Sequence, residues 1–359
     1  VGDGLMLIAA FQYSYINAKL RALKSRLLAP ADYENLLSVC GYSGLVECLR
    51  NTSYGPLLGK VEASFDGLIQ MFYQELFDCY HKVINSLSGN RRRLIQHLYQ
   101  KYELENLKAI VRTICQGKPK KELERVLLPI EETVSFSQQA LLQSNSLEEV
   151  LTQLRRTCYH SPLRSALYRF EEERDSFPLE MALDLSYYNQ LWKIISTLSR
   201  REQKIARSIL GVQMDILNIT WTFRFKEVYH FSPEEILNYG LMQGCHISPE
   251  RRKKLAFSVD RKDVVSNLAL TPYQTLLANL EDIEACSTQL HSYLLNLARK
   301  NWQGVPFHLG TVLDYVFFKE MEVKNLISLT EAKRMNLPRD IVADHLIRCL
   351  AQGNFGSGD

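Results

Sequence analysis

Three acidic residues, each followed three positions later by an asparagine and then an apolar residue, are the most chemically suggestive text in this chain: Glu103-Asn106-Leu107, Asp215-Asn218-Ile219 and Glu322-Asn325-Leu326. A carboxylate and a carboxamide spaced by three residues lie about 60° apart around a helix, so they share a face and can hold one set of polar partners. Arginines follow the first two acids nine residues on, as Arg112 and Arg224. At about 100° per residue, that spacing puts acid and arginine on opposite faces, and they cannot form one site within one helix. Each must serve another element of the chain, or another molecule.

Other chemistry is poorly supported. Gly55-Pro-Leu-Leu-Gly59-Lys60-Val61 is one residue short of a phosphate loop and lacks the Ser or Thr that would hold Mg²⁺. Cys245-His246 and the remaining histidines (His81, His97, His160, His230, His291, His308, His345) lack metal-ligand spacing. There is no Gly-x-Ser-x-Gly and no cluster of catalytic acids. The expectation is no catalytic site, no cofactor and no metal.

The acidic motif alternates with a second spelling: Leu49-x-x-Thr52-x-Tyr54, Leu154-x-x-Thr157-x-Tyr159 and Leu268-x-x-Thr271-x-Tyr273. The tyrosines are 105 and 114 residues apart and the asparagines 112 and 107, so whole segments recur in order and spacing. A period near 110 residues indicates triplication of a unit larger than the 33 to 47 residues of common helical repeats. Thr271-Pro272-Tyr273-Gln274 predicts an N-cap, a proline at the first helical position and a capping box closed by Gln274, with Thr52 and Thr157 capping alike. Between Tyr54 and Asn106, apolar residues recur at three- and four-residue steps (Phe65, Leu68, Ile69, Phe72, Leu76, Cys79, Val83), then again from Leu94 to Ile114 after the Ser88-Gly89-Asn90 turn. This predicts a long hairpin whose first helix runs from about Tyr54 to about Ser86 and whose second stops at Gly117-Lys118-Pro119. Short helices should open at Ala29-Pro30, Ser232-Pro233 and Leu337-Pro338. Val134-Ser135-Phe136 and Lys226 to Phe231 are the only strand-like text, and both read as helix ends or loops.

With 359 residues, more than one compact domain is expected, and the low count of 11 prolines and 17 glycines argues against a β-sandwich or a disordered chain. A net charge of +3 is too small to make nucleic acid an obligate partner. The longest apolar stretch, Gly4 to Phe11, is too short to cross a bilayer and lacks the flanks of an export signal. The eight cysteines form no Cys-x-x-Cys pair and read as reduced thiols of a cytoplasmic protein. The basic clusters Arg91 to Arg93, Lys118 to Lys121, Arg200-Arg201 and Arg251 to Lys254 read as solvated helix ends, or as a rim for acidic loops or lipid head-groups.

Together, the run Tyr15-Ile-Asn-Ala18-Lys19-Leu20-Arg21-Ala22-Leu23-Lys24-Ser25-Arg26-Leu27-Leu28, the Glu103-x-x-Asn106-Leu-x-x-x-x-Arg112 segment and its two echoes resemble the family of the C and d subunits of archaeal-type (A-type) and vacuolar-type (V-type) rotary ATPases. The resemblance covers about residues 10 to 350. It implies an all-α body of three similar helical-bundle domains in a pseudo-three-fold, funnel-like arrangement. The expected divisions are 1–100 (abbreviated), 101–210 and 211–352, the last closing on the first, with 353–359 a disordered tail. It also implies a non-catalytic central-stalk socket that couples the rotary shaft, the coiled-coil D subunit with the F subunit, to the membrane's proteolipid rotor ring for H⁺ or Na⁺ transport. Such a protein would be cytoplasmic and peripheral to the membrane. Arg21, Arg26, Glu103, Asn106, Arg112, Asp215, Asn218, Arg224, Glu322 and Asn325 are the candidate partner-binding residues, and the aromatics Trp302, Phe307, Tyr315, Phe317 and Phe318 either join that contact or pack in the core. The alternative reading is a helical-repeat scaffold or adaptor unrelated to rotary motors.

Overall fold

The computed structural model describes residues 13, 15–121, 123, 127–130, 135–279, 282–304 and 307–348, and among them every regular element is helical. In chain order these are α1 (15–24), α2 (Pro30–Ser38), α3 (Gly41–Arg50), a 3₁₀ turn (Gly55–Lys60), α4 (Phe65–Ile84), α5 (Gly89–Cys115), α6 (Gln138–Gln143), α7 (Leu147–Leu154), α8 (His160–Glu173), α9 (Phe177–Ser196), α10 (Arg200–Glu227), α11 (Pro233–Tyr239), α12 (Pro249–Phe257), α13 (Arg261–Asn267), α14 (Pro272–Leu277), α15 (Ile283–Gln303), α16 (Leu309–Arg334) and α17 (Arg339–Asp344). The predicted strand-like text holds no strand among the described residues: Ser135 and Phe136 form a bend, and Lys226 and Glu227 end α10. Val134, the opening stretch to Phe11 and the 353–359 tail lie outside the described residues.

The long helices begin and end where local chemistry dictates. Gly89 and Gly117 both have positive φ, which costs a glycine little. At the end of α5 the Gly117 N–H bonds Ile114 O and the Lys118 N–H bonds Thr113 O, a Schellman closure before Pro119. The predicted helix from Tyr54 to Ser86 is shorter: α4 starts only at Phe65, where the Ser64 hydroxyl accepts from Gly67 N–H at 3.0 Å. Pro56 and two glycines hold the preceding residues in the 3₁₀ turn, so α4 is 20 residues, about 30 Å, rather than about 45 Å. The same turn disposes of the phosphate-loop likeness, because Gly55–Lys60 is itself helical.

The chain forms two compact units, one of residues 73–197 and one of the residues up to Phe72 together with those from Leu198 onward. In the first, Leu104, Leu107, Ile110 and Val111 of α5 pack with Val150 and Leu154 of α7, Leu163 of α8, and Leu179, Leu183 and Tyr187 of α9. Tyr99 and Tyr102 meet Phe77 and Tyr80 with ring centroids 5.0–5.9 Å apart, the edge and tilted geometries aromatic pairs prefer. In the second, α10, α15 and α16 pack together and α16 also packs on α3, so the two ends of the chain share one core. Tyr13 donates to Glu202 of α10 across a buried 2.7 Å bond. Tyr315, Phe317 and Phe318 are in this core, which decides their reading as packing residues. None of the described helices is long and apolar enough to cross a membrane.

Candidate functional site

Both repeated motifs converge on one hydrogen-bonded constellation, complete in two copies and with the acid beside the tyrosine in the other. Each threonine makes the same local turn: its hydroxyl donates to the leucine carbonyl three residues back (2.7, 2.8 and 2.6 Å at Thr52, Thr157 and Thr271) and accepts from the tyrosine N–H two residues on (3.2, 3.2 and 3.3 Å). This is the predicted capping chemistry with two corrections: at Thr52 and Thr157 the N-cap position itself falls to Tyr54 and Tyr159, which make no side-chain cap. Thr271 caps α14 through Tyr273 N–H, and the box with Gln274 does not form because only the Gln274 backbone reaches Thr271. The turn drives the tyrosine inward, and Tyr54, Tyr159 and Tyr273 are all buried.

There the tyrosine meets the acid of the other motif. Tyr273 donates to Asp215 Oδ2 and Tyr54 to Glu322 Oε1, each at 2.8 Å. Glu103 is equally buried beside Tyr159; burial first, then the Cys158 and Glu103 charges, holds that phenol well above its usual range. In the two bonded pairs the order is that of a ring: Asp215 takes the tyrosine that follows it, and the last acid takes the first tyrosine.

Asp215 and Glu322 also gather backbone. Asp215 accepts the N–H groups of Cys245, His246 and Ile247 at 2.7–3.2 Å, and Glu322 accepts Leu28 N–H at 2.6 Å. Ile247 and Leu28 occupy one register, each 26 residues before its tyrosine. Burial raises the Asp215 carboxyl above its ordinary value even against the His246 N–H, the Tyr273 hydroxyl and the other bonds that favour the charge. Glu322 has fewer backbone donors and instead receives Lys319 Nζ at 2.9 Å, a buried pair that also contacts the Tyr54 ring and hydroxyl.

The asparagines act as peptide clamps. Asn106, Asn218 and Asn325 each donate to and accept from one backbone position, respectively Leu128, Leu241 and Ile347, at 2.8–3.1 Å. The clamped residue is 22, 23 and 22 positions downstream, so three copies of one loop are pinned by one side-chain device. Asn218→Ala leaves the Leu241 N–H and C=O both unpaired in a buried setting, and we expect a loss of roughly 2–3 kcal/mol in urea unfolding. Asn325→Ala should fall within about 1 kcal/mol of it, since the same pair of backbone bonds is lost, and Asn106→Ala, which also gives up its bond to Gln138, should cost at least as much; a near-zero effect at any one would break the equivalence.

A cation in the last turn of each acid-bearing helix meets an acid in the first turn of another helix. Arg112 forks onto Glu180, Arg224 lies 3.7 Å from Glu284, and Arg334 bonds Asp66. Both charges suit their helix dipoles. These pairs are half-exposed, so Arg334→Ala and Arg112→Ala should each cost less than about 1 kcal/mol by denaturant midpoint.

Three features escaped sequence reasoning. Lys226 and Lys333, each 11 residues after its acid, donate to Ala256 O (2.6 Å) and Leu37 O (2.9 Å), positions 17 residues before the respective tyrosines. In the first copy that pair is Ile114 and Leu142, two apolar residues on the core. Gly244 is the third: a Cβ there would sit 2.2 Å from Asp215 Oδ1. The lysine spacing was readable; the glycine required the loop path.

The carboxylates of Asp215 and Glu322 are each engaged by at least three donors of the chain itself. His97 is stacked on Tyr187 at 4.5 Å and bonded to Tyr187 O and Gln100, with burial lowering its pKa, a core histidine. Among the described residues no group of His, Cys, Asp and Glu is arranged to hold a metal.

The family model described as ATP synthase (C/AC39) subunit matches residues 16–345. The chain belongs to this family. It is 24% identical over 355 residues to the C subunit of the A-type ATP synthase of Methanocaldococcus jannaschii, covering 95% of this chain and 88% of that one. The corresponding C subunit of Methanothermobacter thermautotrophicus is 26% identical over 335 residues (91% and 86% covered), and that of Pyrococcus horikoshii 24% over 321 residues (88% and 84%). Within this member of the C/AC39 family, the candidate partner-binding residues separate into two sets. Glu103, Asn106, Asp215, Asn218, Glu322 and Asn325 are buried. Arg21, Arg26, Arg112 and Arg224 reach the surface, the last two beside their acids.

Proposed function

We propose that this chain is a non-catalytic coupling subunit of a rotary ATPase, a socket that seats the central shaft, the coiled-coil D subunit with the F subunit, on the proteolipid ring during ATP-linked H⁺ or Na⁺ transport. The observation that carries the reading is the family match along nearly the whole chain. It gains support from where the repeated polar residues are spent: on fixing backbone, three times over, as a torque-bearing part requires. Buried hydrogen-bonded junctions resist shear because each donor torn from its acceptor costs about 1–3 kcal/mol. Three similar units, the partition we retain as part of this proposal, cannot match a ring of many identical subunits one to one. Attachment would then rest on shape, apolar contact and a few charges over about 1,000–2,000 Å². Of the candidate residues, Arg21, Arg26, Arg112 and Arg224 are the ones placed for a partner, with the buried six holding the surface beneath them. In this role the protein is peripheral to the membrane, on the side of the soluble head.

Purification of the full chain with its complex tests this. The chain should co-elute with a coiled-coil shaft protein and with the detergent-solubilised ring, show no nucleotide turnover alone, and lose ring binding as salt rises. Failure to bind either partner, or turnover by the isolated chain, would overturn the proposal.

A further inference from the structure

The third constellation differs from the second in one physical respect. In the second, the loop between clamped Leu241 and Ile247 crosses the helix directly: a Cβ added to Gly211, four residues before Asp215, would meet Cys245 N at 3.2 Å. In the third, the matching points are Ile347 and Leu28, which are not consecutive, and the residue four before Glu322 is Phe318. Among the described residues nothing takes the place of the crossing loop. A cavity of about 630 Å³ is left there, between the α1 end, α15, α16 and Arg348. That volume lies within the roughly 300–1,000 Å³ range of small-ligand sites.

Its walls have a definite polarity. Leu27, Leu295, Phe318 and Met321 supply an apolar lining, while Lys24, Arg299 and Arg348 bring three cations. Arg348 shares Glu34 with Arg339. Arg299 is exposed, and no ion pair involves it among the described residues. The Lys24 ammonium lies 4.3 Å from the Trp302 ring centroid and 5.2 Å from that of Phe318. Burial and then the Arg299 charge hold this lysine below its usual pKa, with the Asp314 carboxyl opposing them. The one carboxylate in the wall besides Glu34, Glu322, already accepts from Leu28 N–H, Tyr54 and Lys319, so an occupant is asked for no donor.

We propose that this seam cavity binds a single-chain anionic amphiphile of the fatty-carboxylate class, its head on Lys24, Arg299 and Arg348 and its chain along Leu27, Leu295 and Met321. The site is independent of the coupling role and is tested on the full chain alone. With Trp192→Phe and Trp221→Phe, Trp302 becomes the only tryptophan, a reporter beside the head-group position. Dodecanoate, titrated below its micelle concentration, should change that fluorescence saturably with one-to-one stoichiometry, and calorimetry on the unsubstituted chain gives the same stoichiometry if the double variant folds poorly. Dodecanol and dodecyltrimethylammonium should bind at least about tenfold more weakly, as should dodecanoate to Arg299→Gln and Arg348→Gln, given the strength of charge-assisted hydrogen bonds. Met321→Trp should abolish binding while the unfolding midpoint is kept. Equal binding of the three headgroups, no effect of the arginine variants, a response only to phosphatidylglycerol vesicles or only to an acidic peptide, or binding that appears only when residues 349–359 are deleted would each overturn the proposal.

Discussion

Asp215→Ala is expected to lower the unfolding free energy by about 3–5 kcal/mol, among the larger effects a single substitution in this chain can produce. Three backbone N–H groups and the Tyr273 hydroxyl converge on this carboxylate, and Asp215 itself is fully buried. Removing it strands four donors where Gly211 and Gly244 press loop and helix too closely for easy entry of water. Asp215→Asn is not a benign replacement. Its amide nitrogen cannot accept, so at least one backbone N–H would face another N–H, and about half of the loss should remain. Gly244→Ala attacks the same junction from the other side, since its methyl group would overlap Oδ1. Urea unfolding followed by far-ultraviolet circular dichroism gives the magnitudes, and amide exchange at residues 245–247 gives the mechanism. If exchange there is unchanged in Asp215→Ala, the carboxylate is not what holds the loop.

How far the text alone reached is clear from the same residues. The acid-x-x-Asn and Leu-x-x-Thr-x-Tyr spellings were visible because each is local, and their helical phase correctly put acid and asparagine on a shared face. That Tyr273 would meet Asp215, and Tyr54 Glu322, could not be read from either spelling, since the partners are 58 and 268 residues apart. Arg112 and Glu103 were correctly separated onto opposite faces, but their partners, Glu180 and the Tyr159 neighbourhood, belong to other helices. The start of α4 was missed for a different reason: apolar periodicity continues through Gly55–Lys60, and a 3₁₀ turn keeps nearly the same face as an α-helix over so few residues. Of the site, what could be read was the set of residues that hold the loops. The cavity was invisible, because it lies where none of the described residues crosses between Ile347 and Leu28.

The ring order of the pairs has a mechanical corollary. In the first two copies, acid and tyrosine are joined by a continuous stretch of chain, so a broken bond re-forms at high effective concentration. Glu322 and Tyr54 are separated by 268 residues, against 58 between Asp215 and Tyr273, so closing that pair costs more chain entropy. The third copy carries the buried Lys319 on Glu322 and Tyr54, while its Lys333 bond to Leu37 O is shared with the second copy as Lys226 to Ala256 O. The added buried lysine is found at the bonded pair whose partners are farthest apart along the chain.

Asp314→Asn should stabilise the protein, and by an amount set by pH. Asp314 is fully buried on α16, and neither carboxyl oxygen has a hydrogen-bond partner of normal geometry among the described residues. Burial pushes its pKa up to about 8, with the nearby Asn301 amide and Lys24 charge opposing only in part. The unfolded chain titrates this group near 3.9. Below about pH 4 both states are protonated and the acid carries no penalty. From there to about pH 8 the native state holds a proton that the unfolded state has released, so stability falls by about 1.4 kcal/mol per pH unit. Above about 8 the native state too is ionised and the penalty is complete. An asparagine of the same shape never ionises, so the variant should match the parent at pH 4 and exceed it by roughly 3–5 kcal/mol at pH 8.5. Paired urea midpoints at pH 4.5, 6, 7 and 8.5 measure the difference with the remaining titrations cancelled. A difference flat in pH would mean that Asp314 is already ionised and partnered in the native state, and a destabilised variant at high pH would make that carboxylate a holder of Lys24 rather than a buried acid.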